Sequence, residues 1–412
     1  MNYSRIILFA LYIFLAITVS GCWDYIEYED MAQLIGMGID YDNESQEITV
    51  TVQYASVVKQ KGEQAGSAKL TPNGIVHSAT DKTIAGAITK LQEVINKKLF
   101  YGYLKVLVIG EDAAKYQLME IMDLLDRSPA FTTMLLVFSA DKAENVIKTV
   151  ATGGTTASGY EMHNLIHSGP NTGASFPVTT NEFLQMLAIS GIEATAPRVI
   201  NVEGKQDDKE GKGGSQGNIR FDGEQRGDFR MAGLAAFKGG QFVGWLDQKE
   251  TLGFGWITGK KLEIYKASEP RSNVGIGDAK IYRVNEAETD LRAGLDNGNP
   301  VIDVDVKVTA NIRKYPSAGN GEFLSDEDIK LAEKQLADGI YSDIDAALIR
   351  GQKELKTDIF GFGFAFFRKY PELWREKYEE EWTEIFPEVP VNINVEVHVI
   401  NTGINIRKLK VK

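Results

Sequence analysis

Cysteine and histidine are scarce in this chain of 412 residues, which contains one cysteine and four histidines. A single cysteine cannot form an intramolecular disulfide, and it cannot build a thiolate metal site by itself. Positive charge is also in short supply, with 45 Lys and Arg residues against 57 Asp and Glu residues and a formal net charge of −12. That balance argues against non-specific binding to polyanions such as DNA or RNA.

Long hydrophobic runs are equally rare, and the most apolar one lies at the N terminus. Residues 6–19 contain one polar side chain, Thr18, and follow Arg5, the only charged residue among the first 21. A helix of this length spans about 21 Å, short of the roughly 30 Å hydrocarbon core of a bilayer. The basic start, the short apolar run and the small residues Ser20–Gly21 predict a cleaved signal peptide over residues 1–21.

The one cysteine, Cys22, follows this segment directly. Val19–Cys22 resembles the lipobox of bacterial lipoproteins, in which the cysteine thiol is linked to diacylglycerol and becomes the first residue after cleavage. Two acyl chains anchor a protein stably, whereas one chain is marginal. An idle or buried thiol behind an uncleaved anchor is the alternative, but the coincidence of these features favours lipidation at Cys22. We expect the rest of the chain to be soluble and outside the cytoplasm.

Hydrophobic periodicity along the chain predicts an α+β fold of three domains, with mainly antiparallel or mixed sheets packed with helices. Residues 203–218 contain five glycines and seven charged residues and nothing apolar, which is typical of an exposed linker or loop. The predicted division is a signal peptide at 1–21, an N-terminal α/β domain at 22–202, a linker at 203–218, a small middle domain at 219–267 and a C-terminal α+β domain at 268–412.

Individual elements follow from the same patterns. In the N-terminal domain we predict two strands within 34–57, helices at 81–96, 113–125, 142–150 and 182–189, strands at 103–109 and 132–139, and an extended loop at 152–177. Further along we predict a hairpin at 231–246, an alternating strand at 301–313, a long amphipathic helix at 325–356 and a final strand at 391–399.

The four histidines are His77, His163, His167 and His398. Only the middle two have the i, i+4 spacing of a helical metal site, and their HNLIH sequence lacks the glutamate of the HExxH motif. Ser168 and the residues after it favour a loop. We therefore predict exposed loop histidines at 163 and 167, a surface position for His398, and no metal site.

Few other residues or motifs are candidates for catalysis or ligand binding. The glycine pairs in Gly36–Gly38 and Gly361–Gly363 do not complete GxGxxG, and no P-loop or nucleophile elbow is present. Asp303, Asp305 and Asp358 could act as acids or bases only inside a cleft. We predict no catalytic residue, no cofactor and no enzymatic activity.

Residues 360–386 are dense in aromatic side chains. Core packing of short helices against a sheet is the favoured interpretation. An exposed surface for a partner or for the membrane interface is the alternative.

Several segments in a fixed order resemble one family over essentially the whole chain. They are Gly21–Asp24, Glu27, Leu34–Asp40, Val106–Glu111, Gly233–Phe237, Gly244–Leu246, Thr357–Gly363 and Trp382–Pro387. Together they resemble the C subunits of spore germinant receptors, the Ger(x)C family of spore germination lipoproteins.

The resemblance implies a three-domain protein, non-enzymatic and tethered by lipid at Cys22 to the outer face of the spore inner membrane. It implies assembly with two membrane-embedded partners, the A and B subunits, in a complex that responds to small nutrients. No direct small-molecule binding by this chain is expected. A solute-binding lipoprotein of a transporter is the alternative. An envelope hydrolase is a third class, disfavoured because no nucleophile and base are paired in the sequence.

Overall fold

A computed structural model gives the fold. It describes residues 30–55, 57–59, 68–70, 74–131, 133–149, 157–202, 228–267, 280–314 and 325–401, with a few single positions nearer the N terminus. Cys22, the predicted linker 203–218 and most of the predicted signal peptide 1–21 lie outside the described residues. Among the described residues, no helix combines the length and the apolar character needed to cross a membrane.

The described strands are β1 Met31–Asp42, β2 Glu47–Tyr54, β3 Val57–Lys59, β4 Ala68–Leu70, β5 Ile75–Asp81, β6 Lys98–Phe100, β7 Val106–Gly110, β8 Leu135–Ser139, β9 Thr195–Val202, β10 Asp228–Lys238, β11 Gln241–Leu246, β12 Tyr265–Ala267, β13 Ile281–Asp296, β14 Asn299–Lys314 and β15 Val391–Asn401.

The described α-helices are α1 Ile84–Val94, α2 Glu111–Tyr116, α3 Leu118–Asp126, α4 Ala143–Lys148, α5 Ser158–Ser168, α6 Thr180–Ala188, α7 Gln248–Ile257, α8 Asp326–Leu348, α9 Phe362–Lys369, α10 Pro371–Leu373 and α11 Trp382–Ile385. Turns of π-helix follow α8 at Ile349–Glu354 and α10 at Trp374–Tyr378. Short 3₁₀ turns lie at Pro129–Phe131, Gly169–Asn171 and Phe386–Glu388.

The first sheet is mixed, with the strand order β11-β10-β9-β8-β7-β1-β2-β5 and with β6 beside the start of β1. Its centre is parallel, since β1, β7, β8 and β9 run in one direction. The flanking strands on both sides are antiparallel. Strands buried on both faces have near-continuous apolar sequences. That rule accounts for β7, in which all five residues are buried.

Two hydrophobic layers cover the faces of this sheet. Leu107 and Ile109 of β7 pack in the cluster that contains α1, α2 and α3. Val106 and Val108, which alternate with them, pack against α4 and α5 on the other face. The alternation follows from the two-residue period of a strand.

The predicted hairpin at 231–246 is confirmed as β10 and β11. Gly239 and Gly240 form its turn with φ of 56° and 77°, a backbone region that glycine enters at little cost. Because β10 pairs with β9, the hairpin extends the sheet built by residues 31–202. The proposed domain boundaries themselves stay a prediction.

The second sheet has the order β12-β13-β14-β15, with β14 and β15 parallel and the other pairs antiparallel. Val304, Val306 and Val308 of β14 point into a core that also holds Ile340 and Ile344 of α8. The alternating residues face outward, as the sequence pattern predicts. The α+β fold class with mixed and antiparallel sheets is therefore confirmed.

The prediction of an extended loop at 152–177 is wrong, because residues 158–168 form α5. The small residues of this helix weaken the apolar pattern that would predict it, and they also allow the helix to lie close to the sheet. A Cβ on Gly159 would be 2.9 Å from the carbonyl oxygen of Ile35, and the Gly159 N–H donates to Oε1 of Gln53 at 2.9 Å.

The histidine predictions are corrected in part for the same reason. His163 and His167 lie on α5 rather than in a loop, with ring centroids 4.5 Å apart. His163 is half-buried and His167 is exposed. Burial and the neighbouring His167 lower the pKa of His163. His398 is exposed on β15, as predicted.

Candidate functional site

A short segment, Thr357–Gly363, joins the second sheet and its helices to the first sheet. We call the contact region the junction. The Thr357 hydroxyl donates a 2.6 Å hydrogen bond to the carbonyl of Phe237 in β10. The N–H of Phe364, just after the segment, donates to the carbonyl of Gly191 at 2.7 Å. These bonds attach the two halves of the described chain through buried polar groups.

Asp358 is the central residue of the junction. Its Oδ1 accepts hydrogen bonds from the N–H groups of Gly361 at 2.9 Å and Phe362 at 3.1 Å. Its Oδ2 accepts from the N–H of Gly363 at 2.7 Å and from Nε1 of Trp382 at 2.9 Å. Three of these donors belong to the first turn of α9 and the residue before it, where unpaired N–H groups favour a negative charge.

Burial raises the pKa of Asp358 to about 6, although its hydrogen-bond donors act in the opposite direction. The carboxyl group is thus mainly ionised at neutral pH, and its four donors saturate both oxygens. Asp303 and Asp305 are not near it: they lie on the outer face of β14, where Asn392 and Asn394 of β15 donate to them. The structure does not bring the three aspartates together.

A cavity of about 200 Å³ lies beside the junction. It is lined by the connection 189–193 between α6 and β9, the hairpin turn, the start of the Thr357–Gly363 segment and aromatic residues that include Trp374 and Trp382. Glu193 on its wall accepts from the Gly239 N–H at 2.8 Å, and burial raises the pKa of Glu193. Among the residues that the structure describes, no group of three or more His, Cys, Asp or Glu side chains could hold a metal ion.

The aromatic segment 360–386 is mainly core. Phe366 lies at its centre, with ring centroids 5.2 Å from Tyr378, 6.2 Å from Trp382 and 6.4 Å from Trp374. Buried aromatic pairs at such distances add to the free energy gained from burial alone. The core interpretation therefore holds for this cluster.

A second buried polar site lies between α7, α8 and β12, and sequence reasoning missed it. Lys266 Nζ is 2.6 Å from Oδ2 of Asp343, and Nε1 of Trp256 donates to the same oxygen at 3.2 Å. Burial raises the pKa of Asp343, while the charge of Lys266 lowers it. A signal was present, because Asp343 continues the apolar stripe of Leu336 and Ile340 along α8.

Several of the segments that carry the family resemblance meet around the hairpin and the junction, while Leu34–Asp40 lies in β1 of the first sheet. Glu111, at the end of the 106–111 segment, accepts a hydrogen bond from Nε1 of Trp245 at 3.2 Å. The 357–363 segment contacts the hairpin through Thr357. Three of the matched segments thus meet at the junction, namely Gly233–Phe237, Thr357–Gly363 and Trp382–Pro387. Cys22 lies outside the described residues.

Two family models match consecutive parts of the chain. The spore germination protein N-terminal domain matches residues 24–200. The spore germination B3/GerAC-like C-terminal domain matches residues 232–403.

Whole-length similarity extends to curated proteins of Bacillus subtilis strain 168. Spore germination protein KC is 28% identical over 98% of both chains. Spore germination protein B3 is 21% identical over 96% of this chain and 97% of that protein. The crystal structure of the GerBC protein covers 89% of this chain and 97% of its own, with a TM-score of 0.54 and 16% identity. At 16% identity, the similarity to the GerBC structure concerns the fold alone.

Proposed function

Since the chain belongs to the GerAC-like family of spore germination proteins, we propose that it is a lipid-anchored subunit of a nutrient germinant receptor. The observation that carries this proposal is the match to spore germination protein KC over 98% of both chains. Both family domains occur in order, so the likeness is not confined to one shared module.

The anchor is diacylglycerol on Cys22, and it holds the folded chain at the outer face of the spore inner membrane. The position of the first family domain supports this arrangement, because its match begins at residue 24. Two acyl chains suffice for stable anchoring without a membrane-spanning helix.

The role of the protein is assembly with the membrane-embedded A and B subunits rather than catalysis. The state of the acidic residues supports a non-enzymatic role. Both oxygens of Asp358 are saturated by donors, and Asp303 and Asp305 are hydrogen-bonded on a sheet surface. A solute-binding lipoprotein of a transporter is not favoured, because the second sheet is a small one of four strands with two antiparallel pairs rather than a second doubly wound lobe.

Deletion of the gene in its spore-forming host tests the proposal, with germination scored against a panel of single nutrients. We expect the response to at least one nutrient to be lost and to return when the intact gene is restored. A normal response to every nutrient, in a strain without a redundant receptor, would contradict the proposal.

A further inference from the structure

An exposed aromatic and basic surface lies at one end of the first sheet. It is formed by the end of α1, by β6 and by the turn that leads to β7, and we call it the 94–105 surface. Val94 is 64% exposed, Tyr103 46% and Phe100 36%. Between residues 94 and 105 the chain has three lysines and no acidic residue, against a net charge of −12 overall.

The 94–105 surface is held in a fixed shape. Gln92 Nε2 donates to the carbonyls of Ile95 at 3.1 Å and Lys97 at 2.7 Å, and its Oε1 accepts from the Leu99 N–H at 3.2 Å. Tyr101 packs edge-on against Phe131 with ring centroids 5.2 Å apart. The exposed aromatic residues are therefore presented by an ordered framework.

Chain connectivity places this surface close to the proposed anchor. Met31, the first residue of β1, follows Cys22 by nine residues, and nine residues reach about 30 Å at most. Met31 is paired with Lys98 in the parallel ladder of β1 and β6, so the two lie about 5 Å apart.

The rest of β1 leads away from this end. Of its twelve residues, the first three pair with β6, and the remaining nine run for roughly 30 Å beyond it. The strands β7 and β8 are parallel to β1 and start at the same end of the sheet. A short tether at this end holds the 94–105 surface, rather than the far end of the sheet, against the bilayer.

The chemistry of the surface matches the headgroup region of an anionic bilayer. Aromatic rings settle at the boundary between headgroups and acyl chains. Lysines extend their charged ends toward anionic phosphates while their aliphatic stems cover apolar surface. The exposed acidic residues Asp30 and Glu93 flank the surface and offset part of the positive charge of its lysines. The aromatic residues therefore supply the main contact with the bilayer, and the lysines orient the surface toward it.

We propose that the 94–105 surface is a membrane-docking surface, which inserts Phe100 and Tyr103 into the headgroup region of the bilayer that holds the lipid anchor. The proposal rests on the lipid anchor proposed for Cys22. It adds a second point of attachment, which fixes the orientation of both sheets relative to the membrane.

The test uses the full, acylated chain in vesicles of phosphatidylethanolamine and phosphatidylglycerol. Because Cys22 is the one cysteine and its thiol is consumed by acylation, Phe100→Cys or Tyr103→Cys supplies a unique site for an environment-sensitive fluorophore. Tyr265→Cys is the matched control, since Tyr265 is a 63% exposed aromatic residue on β12 of the other sheet. Unchanged thermal unfolding of each variant shows that the fold is kept.

We expect blue-shifted emission at positions 100 and 103, with quenching by spin-labelled lipid at least about threefold stronger than at 265, since interfacial groups lie roughly 5–10 Å into the boundary. Equal quenching at all three positions, in chains that float with the vesicles, overturns the docking surface and leaves the anchor intact. Shielding only in native membranes that hold the partner subunits overturns it in favour of a protein contact. If the fluorophore instead labels the natural chain, whose one cysteine is Cys22, the thiol is not acylated. That result overturns the anchor and the docking proposal with it.

Discussion

The indole Nε1–H of Trp382 donates a 2.9 Å hydrogen bond to Oδ2 of Asp358, and both side chains are buried. The bond links the short helix α11 to the segment that attaches the second sheet to the first. The side chain of Asp358 therefore fixes the shape of this segment and the first turn of α9, while its backbone carbonyl accepts a 2.9 Å hydrogen bond from the N–H of Glu193 in the first half of the described chain.

Replacement of Asp358 by asparagine should weaken this contact. An amide nitrogen cannot accept the hydrogen bonds that one carboxylate oxygen now accepts, so buried donors lose their partner. We expect Asp358→Asn to lower the free energy of unfolding by about 2–4 kcal/mol. Urea unfolding followed by tryptophan fluorescence measures this loss. Asp345→Asn, at an exposed position of the same C-terminal half, is the control; equal effects of the two substitutions would count against the role of Asp358.

Asp358 should also make stability depend on pH. Burial raises its pKa from 3.8 to about 6, so the folded chain holds this proton more tightly than the unfolded chain. The resulting stabilisation is complete below about pH 4 and is lost as the pH rises through about 6, with a total of about 3 kcal/mol at most.

The measurement is the gap in unfolding free energy between the natural chain and Asp358→Asn, in which the other titrating groups cancel. We expect this gap to be larger at about pH 4.5 than at about pH 7.5. A difference in unfolding free energy that increases with rising pH would show that folding lowers the pKa of Asp358 rather than raises it.

Gly191 is a steric requirement of the junction. Its φ is +83°, and a Cβ there would lie 2.5 Å from backbone atoms of Gly363 and Phe364. Gly239 has φ of +56°, and a Cβ added to it would meet no atom within 4 Å, which makes it a matched control. We expect Gly239→Ala to cost about 1 kcal/mol from its backbone conformation alone, and Gly191→Ala to cost several times more. Similar thermal midpoints for the two variants would contradict the close packing.

The Lys266–Asp343 ion pair should matter far more than an exposed one. Their side chains are 16% and 5% exposed, so Lys266→Met leaves a buried carboxylate without its cation and should cost about 3–5 kcal/mol. Lys261 is paired with Glu263 at 86% and 43% exposure, so Lys261→Met should cost about 1 kcal/mol or less. Chemical denaturation of both variants compares them directly, and an equal loss would refute the difference in burial.

Lipidation at Cys22 predicts a change in partitioning. Cys22→Ala removes the thiol that forms the thioether, so the chain should accumulate as an unprocessed precursor or leave the membrane fraction. Ser20→Ala keeps a small residue beside the cleavage site and should behave as the natural chain. Mass spectrometry and membrane fractionation read out both variants; unchanged mass and partitioning of Cys22→Ala would exclude the anchor.

Local patterns in the sequence are enough to predict most elements but not their pairing. The alternation of Val304, Val306 and Val308 identifies β14, because a sheet covered on one face imposes a two-residue period. The pairing of β9 with β10 brings together segments separated by residues 203–227, and no local pattern encodes such a contact. The helix α5 escapes prediction because Gly159 and its small neighbours favour close packing against β1 rather than a broad apolar stripe.

The candidate site is harder to predict than the fold. The sequence shows Asp358 as a lone acid, and the glycines at Gly361–Gly363 after it resemble only a fragment of a phosphate-binding loop. The role of Asp358 depends on Trp382, which lies 24 residues further along the chain. Sequence spacing cannot specify such a contact, and the usual N-cap signal is absent because the N-cap residue of α9 is Gly361.

The ladder between β9 and β10 has a consequence for how the chain can be divided. It joins residues 195–202 to residues 228–236, and so crosses the interval between the two family domains. Proteolytic cleavage within 203–227 should therefore leave the two fragments associated, because the hydrogen bonds between β9 and β10 hold them together. Either half made alone would present an open sheet edge, and such an edge invites aggregation. The two halves, when they are co-expressed, should instead assemble into a single complex.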